Sequence, residues 1–180
     1  MNRFFTCLII LAFCSSCLGE LDSPAEDDSS GFDGTAYVPV YATDNEYRKI
    51  ELQASRALKQ PGKIYKSGAY LFVNELGEGI HLINNANPRQ PVNEGFIAIP
   101  GNYDMAAKGT FLYADNLTDL VVLDISNPKQ VREAKRIEDA IEVMNFPQER
   151  NVYFECVDTK KGKVLSWKKV VMDKAPGCRR

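Results

Sequence analysis

Histidine is almost absent from this chain of 180 residues: His81 is the only one. That excludes multi-histidine metal sites, and any Ser/His or Cys/His machinery would have to be built on His81 itself. Long apolar runs are missing too. The N-terminal run Phe4 to Phe13 has about ten residues, where a membrane-spanning helix needs roughly twenty. Lys and Arg are missing from residues 18–46, which carry eight acids, and residues 47–180 hold sixteen acids against twenty-one bases, net +5. Those bases are interleaved with acids until the last thirty or so residues, so no basic stripe marks a nucleic-acid partner and none is expected. A nucleophile elbow, a zinc motif and a Gly-rich phosphate loop are all lacking. With 44% hydrophobic and 26% charged residues, the chain is neither a disordered polar tail nor a multi-span membrane protein, and it has room for one or two small domains.

What is present begins with an address. Arg3 followed by the apolar run reads as an export signal over residues 1–16. The run ends in Cys14-Ser15-Ser16-Cys17, with small residues just ahead of Cys17, then Leu18-Gly19-Glu20 and an acidic, Ser-rich stretch. This resembles a bacterial lipoprotein signal, whose peptidase cuts before a Cys that has received a diacylglycerol, although Cys14 stands where that pattern prefers Leu. The resemblance implies lipidation of Cys17 and attachment to the membrane through the lipid anchor. An ordinary secretory signal is the alternative, with cysteines filling small-residue positions. Residues 17–35, rich in Asp, Ser and Gly, suit a tether between membrane and folded domain. Acidic residues soon after the lipidated Cys also resemble surface-export signals of some gram-negative envelopes. The expected location is the bacterial cell envelope, lipid-anchored at the outer membrane, facing either the periplasm or the cell surface.

The cysteines follow from that address. Cys7 and Cys14 leave with the signal and Cys17 takes the lipid, so the exported domain keeps Cys156 and Cys178. In an oxidising compartment an isolated pair implies one disulfide. Two buried free thiols are the alternative, and a redox pair would want a Cys-x-x-Cys spacing that these two lack.

From Ala36 the composition turns globular. Tyr37-Val38-Pro39-Val40-Tyr41 reads as extended, Thr43-Asp44 as the cap of a short helix around Asn45 to Lys49, and Ile50 to Leu58 as a loose strand. The decisive feature is an internal repeat. GAYLFVNELGEGIHLINNANPRQ at 68–90 aligns with GTFLYADNLTDLVVLDISNPKQ at 109–130 once one residue is dropped at the turn. Gly68 matches Gly109, Leu71 matches Leu112, Asn87 matches Asn127 and Pro88 matches Pro128. A period near 40 fits a helical repeat or a four-stranded propeller blade. Each unit contains two short runs rich in Val, Ile, Leu, Phe and Tyr split by a Gly/Asn/Asp turn, which fits hairpins and not helices. Leu120-Val121-Val122-Leu123 is apolar on both faces, as in a central strand packed between neighbouring blades. Asn87-Pro88 and Asn127-Pro128 close the hairpins.

LINNANP and LVVLDISNP resemble the central signature of LVIVD-repeat proteins, which form β-propeller-like arrays. The stretch from Pro61-Gly62-Lys63 through Phe96–Asn102 to Leu112-Tyr113-Ala114-Asp115 resembles envelope lipoproteins of that family. The resemblance covers roughly residues 36–180 and implies fold and address, with no activity or catalytic set to carry over. The expected architecture is all-β: a flanking segment 36–61, two antiparallel propeller-like blades over 62–140, and a C-terminal segment 141–180 holding a hairpin (Asn151–Val157 with Val164–Met172) and the disulfide. Two blades leave apolar faces open, to be covered by the flanking segments, by further blades, or by an envelope protein or glycan.

Candidate chemistry is sparse. Glu75 and Glu78 sit in the first turn, Asp115 and Asp119 in the second, but neither turn has calcium-loop spacing and no metal or cofactor is expected. His81, between Ile80 and Leu82, reads as a satisfied structural histidine, and Asp124 as a carboxylate bonding nearby backbone. Residues 150–180 hold nine bases against three acids; Lys160-Lys161-Gly162-Lys163 and Lys168-Lys169 read as a solvated turn and strand face, with Trp167 packing rather than binding. No catalytic residue is assigned. The expected function is a non-enzymatic binding or scaffold lipoprotein, ligand unknown. The alternative is a hydrolase or lyase acting on envelope or environmental polysaccharide, which convergent, perturbed carboxylates in the largest pocket would favour.

Overall fold

A computed structural model describes residues 31–180. The signal over 1–16, Cys17 and the linker as far as Ser30 lie outside the described residues. The described chain opens with β1 (Thr35–Ala42) and a four-residue helix, α1 (Asp44–Tyr47). Thr43 starts α1, and the Glu46 carboxylate accepts both the Thr43 backbone N–H (2.7 Å) and its hydroxyl (2.8 Å). The strand expected over 50–58 shrinks to β2 (Glu51–Gln53). Beyond it residues 54–60 form no strand and pair with side chains instead of a neighbouring strand, for reasons given below.

The first blade is an antiparallel meander of β3 (Pro61–Ser67), β4 (Tyr70–Glu75), β5 (Gly79–Asn84) and β6 (Val92–Ala98), with β2 added outside β6. The second repeats it with β7 (Met105–Lys108), β8 (Phe111–Asn116), β9 (Asp119–Asp124) and β10 (Arg132–Ile137). The repeat in sequence is therefore a repeat in structure. Gly68 and Gly109 occupy the matching tight turns at φ 56° and 61°, where a side chain would be strained. The dropped residue falls in the central turn: Glu75 pairs with Gly79 across three residues, Asn116 with Asp119 across two.

The Asn-Pro ends of the hairpins also share one physical cause. Asn84 Oδ1 accepts from Ala86 N and Asp124 Oδ1 from Ser126 N; one step on, Asn87 Oδ1 accepts from Arg89 N and Asn127 Oδ1 from Lys129 N. Two successive side-chain turns bend the chain away from the sheet, and Pro then withholds the donor that would continue the ladder. Asp124 thus bonds local backbone, as its setting suggests.

Register decides which faces meet. Leu112, Ala114, Val121 and Leu123 share one face of the second blade, and Phe72, Ile80, Leu82 and Ile97 one face of the first. These residues are 0–2% exposed and form one core with Ile99, Met105 and Ile125. At roughly 1.5–3 kcal/mol for each large apolar side chain buried, this interface is the main hydrophobic store of the fold. The opposite face of the first blade, carrying Val73, Glu75, His81 and Phe96, is covered by residues 56–60: the Arg56 guanidinium lies 3.5 Å over the Phe96 ring, and Asn93 Nδ2 donates to Arg56 O. The outer face of the second blade stays partly open, with Phe111 40% and Ile137 43% exposed.

The remaining sheet corrects the expected C-terminal hairpin. Its order is β12 (Lys163–Val171), β1, β11 (Tyr153–Phe154), β13 (Cys178–Arg179). β1 runs antiparallel to β12 from Thr35↔Val171 to Ala42↔Lys163 and parallel to β11, so it separates the two strands that the sequence suggested would pair. With only two residues β11 is too short to hold nine-residue β12, whereas β1 matches it almost end to end. Pro39 is tolerated because β11 reaches only Ala36 and Tyr37, leaving Pro39 on a stretch of β1 with one neighbour. The flanking segments thus build a third sheet of their own.

Cys156 and Cys178 form the expected disulfide, with Cα atoms 5.2 Å apart, tying β11 to β13 across a loop that contains β12. A loop of this length constrains the unfolded chain by about 3 kcal/mol. Cys178→Ser, or reduction of the wild type, should lower unfolding stability by about that amount in urea melts followed by circular dichroism. Superimposed curves with and without reductant would show that the bond contributes nothing.

Candidate binding cleft

The hairpin turns carry a buried polar layer that includes two of the carboxylates singled out above, Glu75 and Asp119. In the first blade, Glu75 is 2% exposed and accepts from Lys59 N (3.1 Å), Gln60 N (2.5 Å) and His81 Nε2 (2.9 Å). Asn93 Nδ2 donates to Arg56 O, so at His81 Nδ1 (3.2 Å) it is again the donor; Nδ1 accepts and Nε2 carries the proton that Glu75 takes. His81 is fully buried with both nitrogens satisfied, a structural histidine. These bonds explain why residues 54–60 are not a strand: Glu75 and Asn93 replace the partner strand that the segment lacks. Burial alone would push the Glu75 carboxyl up, but the Gln60 and Lys59 N–H groups and the His81 ring outweigh it and hold it below the ordinary glutamate value. Gly79 completes the corner. Its φ is 141°, and a Cβ there would sit 2.1 Å from Ile97 O.

In the second blade the corner is built by different residues. Asp119, fully buried, accepts from Arg48 Nε (2.9 Å), Arg136 Nη1 (2.9 Å) and Asp139 N (3.0 Å). Burial raises its carboxyl, but those donors and both guanidinium charges hold it below the usual aspartate range. Asn116 donates to Tyr47 O and Pro100 O and accepts from Arg136. Glu78 pairs with Arg56 on the surface. Among the described residues no group of three or more His, Cys, Asp or Glu converges as a metal site would require.

Asp115 is different. Its Oδ1 accepts from Tyr103 N (2.9 Å), Asp104 N (2.9 Å) and Asn102 Nδ2 (2.6 Å), and Asn102 Oδ1 in turn accepts from Asn74 Nδ2, linking the two blades. No described residue donates to Asp115 Oδ2. Burial pushes this carboxyl above its ordinary value despite the three donors. Asp115 lines a cleft of about 590 Å³ where the sheets converge. Trp167 and Tyr37 of the third sheet form one wall, Tyr103 and Leu117 another, and residues 141–149 a third. Tyr103 is raised by burial and then by the Asp115 charge; Tyr37 by burial and then by the charge and hydrogen bond of Glu149.

Of the residues considered from sequence, the cleft therefore gathers Asp115 and Trp167. Trp167 also packs edge-on against Phe154 at 5.3 Å, so it serves packing and cleft together. Of the basic tail, Lys163 bonds Thr118 and Asp139 and Lys161 lies over the Tyr41 ring, while the Arg180 guanidinium lies 4.2 Å over the ring of Phe146, a residue of the cleft wall. Tyr103, Glu142 and Glu149 carried no pattern that would have flagged them.

Residues 101–139, which span the second blade, match the family model of the LVIVD repeat. No curated protein and no solved structure matches the chain significantly.

Two outcomes test the polar layer. The folded Glu75 value lies below the unfolded one near 4.5, so ionised Glu75 contributes stability that is complete above that pH and is lost as pH falls through the lower folded value. Glu75→Gln should be less stable than wild type at neutral pH and converge with it in acid; urea midpoints down a pH series check this, and parallel curves would contradict it. Asp119→Asn strips the carboxylate from two arginines and should cost about 3 kcal/mol or more, measured by the same melts.

Proposed function

We propose that the chain is a lipid-anchored, non-enzymatic binding module of the bacterial envelope. The lipid sits on Cys17, residues 17–35 act as the tether, and the β body presents its cleft to a ligand at the outer membrane, on its periplasmic or surface side. The observation that carries the reading is the cleft itself: several sheets and a loop converge on a solvent-accessible cavity of about 590 Å³, within the range typical of ligand sites. The groups that could do chemistry are committed elsewhere. His81 spends both nitrogens on Glu75 and Asn93, and Asp119 is clamped by two arginines. Within the cleft one carboxyl, that of Asp115, is raised by burial, and no histidine or cysteine stands beside it. This favours binding over the hydrolase or lyase alternative, which turnover of an envelope polysaccharide by the purified protein would restore.

The anchor has its own test. Cells fed an alkyne fatty acid should label the wild type and leave Cys17→Ser unlabelled and outside the membrane fraction. Equal labelling of both would remove the lipoprotein part of the proposal and leave the cleft untouched.

A further inference from the structure

The lining of the cleft is chemically one-sided. Four of its side chains are aromatic, Tyr37, Tyr103, Phe146 and Trp167; the Phe146 ring already carries the Arg180 guanidinium at 4.2 Å, which leaves the other three for a ligand. Three more are carboxylates, Asp115, Glu142 and Glu149, and no Lys, Arg or His lines it, although residues 47–180 carry net +5. An anion is repelled by such a surface. A neutral sugar could stack on the rings and donate hydroxyls to the carboxylates, but it would leave the charges of Asp115 and Glu142 unneutralised, Glu149 being already hydrogen-bonded to Tyr37. A bare metal ion does not fit either, because the carboxylates do not converge into a metal-binding group. Aromatic faces attract cations through their quadrupole, more strongly where water is displaced, and the unpartnered Oδ2 of Asp115 supplies a fixed charge among them.

We infer that the cleft takes an organic cation, an ammonium or guanidinium group carried on an apolar body, with the body against Trp167 and Tyr103 and the charge facing Asp115. This rests on the binding-module reading and names its ligand class.

The protein carries its own reporter, since Trp167 is its only tryptophan and lines the cleft. The full chain, purified in a non-ionic detergent, is titrated with choline and with dimethylbutanol, the neutral carbon isostere of choline, while Trp167 fluorescence is recorded. Choline should give a saturable change about tenfold tighter than the alcohol, a ratio within the range of desolvated cation–aromatic contacts. Asp115→Asn keeps the Oδ1 acceptor that holds Tyr103, Asp104 and Asn102, so the fold is retained and only the charge is lost; its preference for choline should fall several-fold, and circular dichroism verifies the fold. Glu142→Gln, on the loop, is a second charge-removing variant expected to act in the same direction. Equal saturation by both compounds would overturn the cation inference and leave the cleft a binding site. Silence of Trp167 towards both would overturn the inference together with the cleft as the site of binding.

Discussion

Pairing between β1 and β12 is the contact on which the third sheet and the cleft depend. Two blades can bury one shared interface, the core from Phe72 and Leu82 to Leu112 and Leu123, but they cannot close themselves. Closure comes from the segments that flank the blades, joined over residues 35–42 and 163–171. Once β1 is held, Thr43 starts α1, Tyr47 is buried beside Leu117, and Arg48 reaches Asp119. The third sheet also supplies the Tyr37 and Trp167 wall, so the cleft exists only because the two flanking segments meet.

The two blades solve one problem with unlike residues. Each central hairpin has a buried corner beside its turn, and each places a carboxylate there. Glu75 takes backbone N–H groups from the segment that covers its face; Asp119 takes two guanidinium groups and a backbone N–H. Buried charge is expensive unless every acceptor is met, and both corners meet it by drawing in chain from outside the blade. The polar layer therefore fixes where residues 56–60 and 136–139 must run. It works as a set of attachment points more than as a source of net stability.

Much of the architecture was legible because it is local. The hairpins β4–β5 and β8–β9, the positive-φ glycines 68 and 109 and the Asn-Pro terminations all lie within one repeat, where spacing alone reports pairing. The Cys156–Cys178 bond followed from address and arithmetic. What stayed hidden is non-local. Ala36 pairs with Val170, and no periodic pattern links positions so far apart, so β12 was matched with its neighbour in sequence instead. The site was harder still. Asp115 drew notice as one of four turn carboxylates, yet what sets it apart is an oxygen left without a donor at the edge of a cavity. Residues 141–149 have neither repeat nor strand pattern and acquire meaning only as a wall.

The arrangement of the third sheet also dictates an order of events during synthesis. Chains emerge from the N-terminus at roughly 5–20 residues per second, so β1 appears before both blades while β12, its partner, appears after both. Both blades can collapse in the interval, because their contacts are short-range. β1 must wait, unpaired, until residue 171 is available, and only then can Cys178 meet Cys156. The cleft thus forms after the blades, and a chain cut short before β12 would carry two well-made blades and no site.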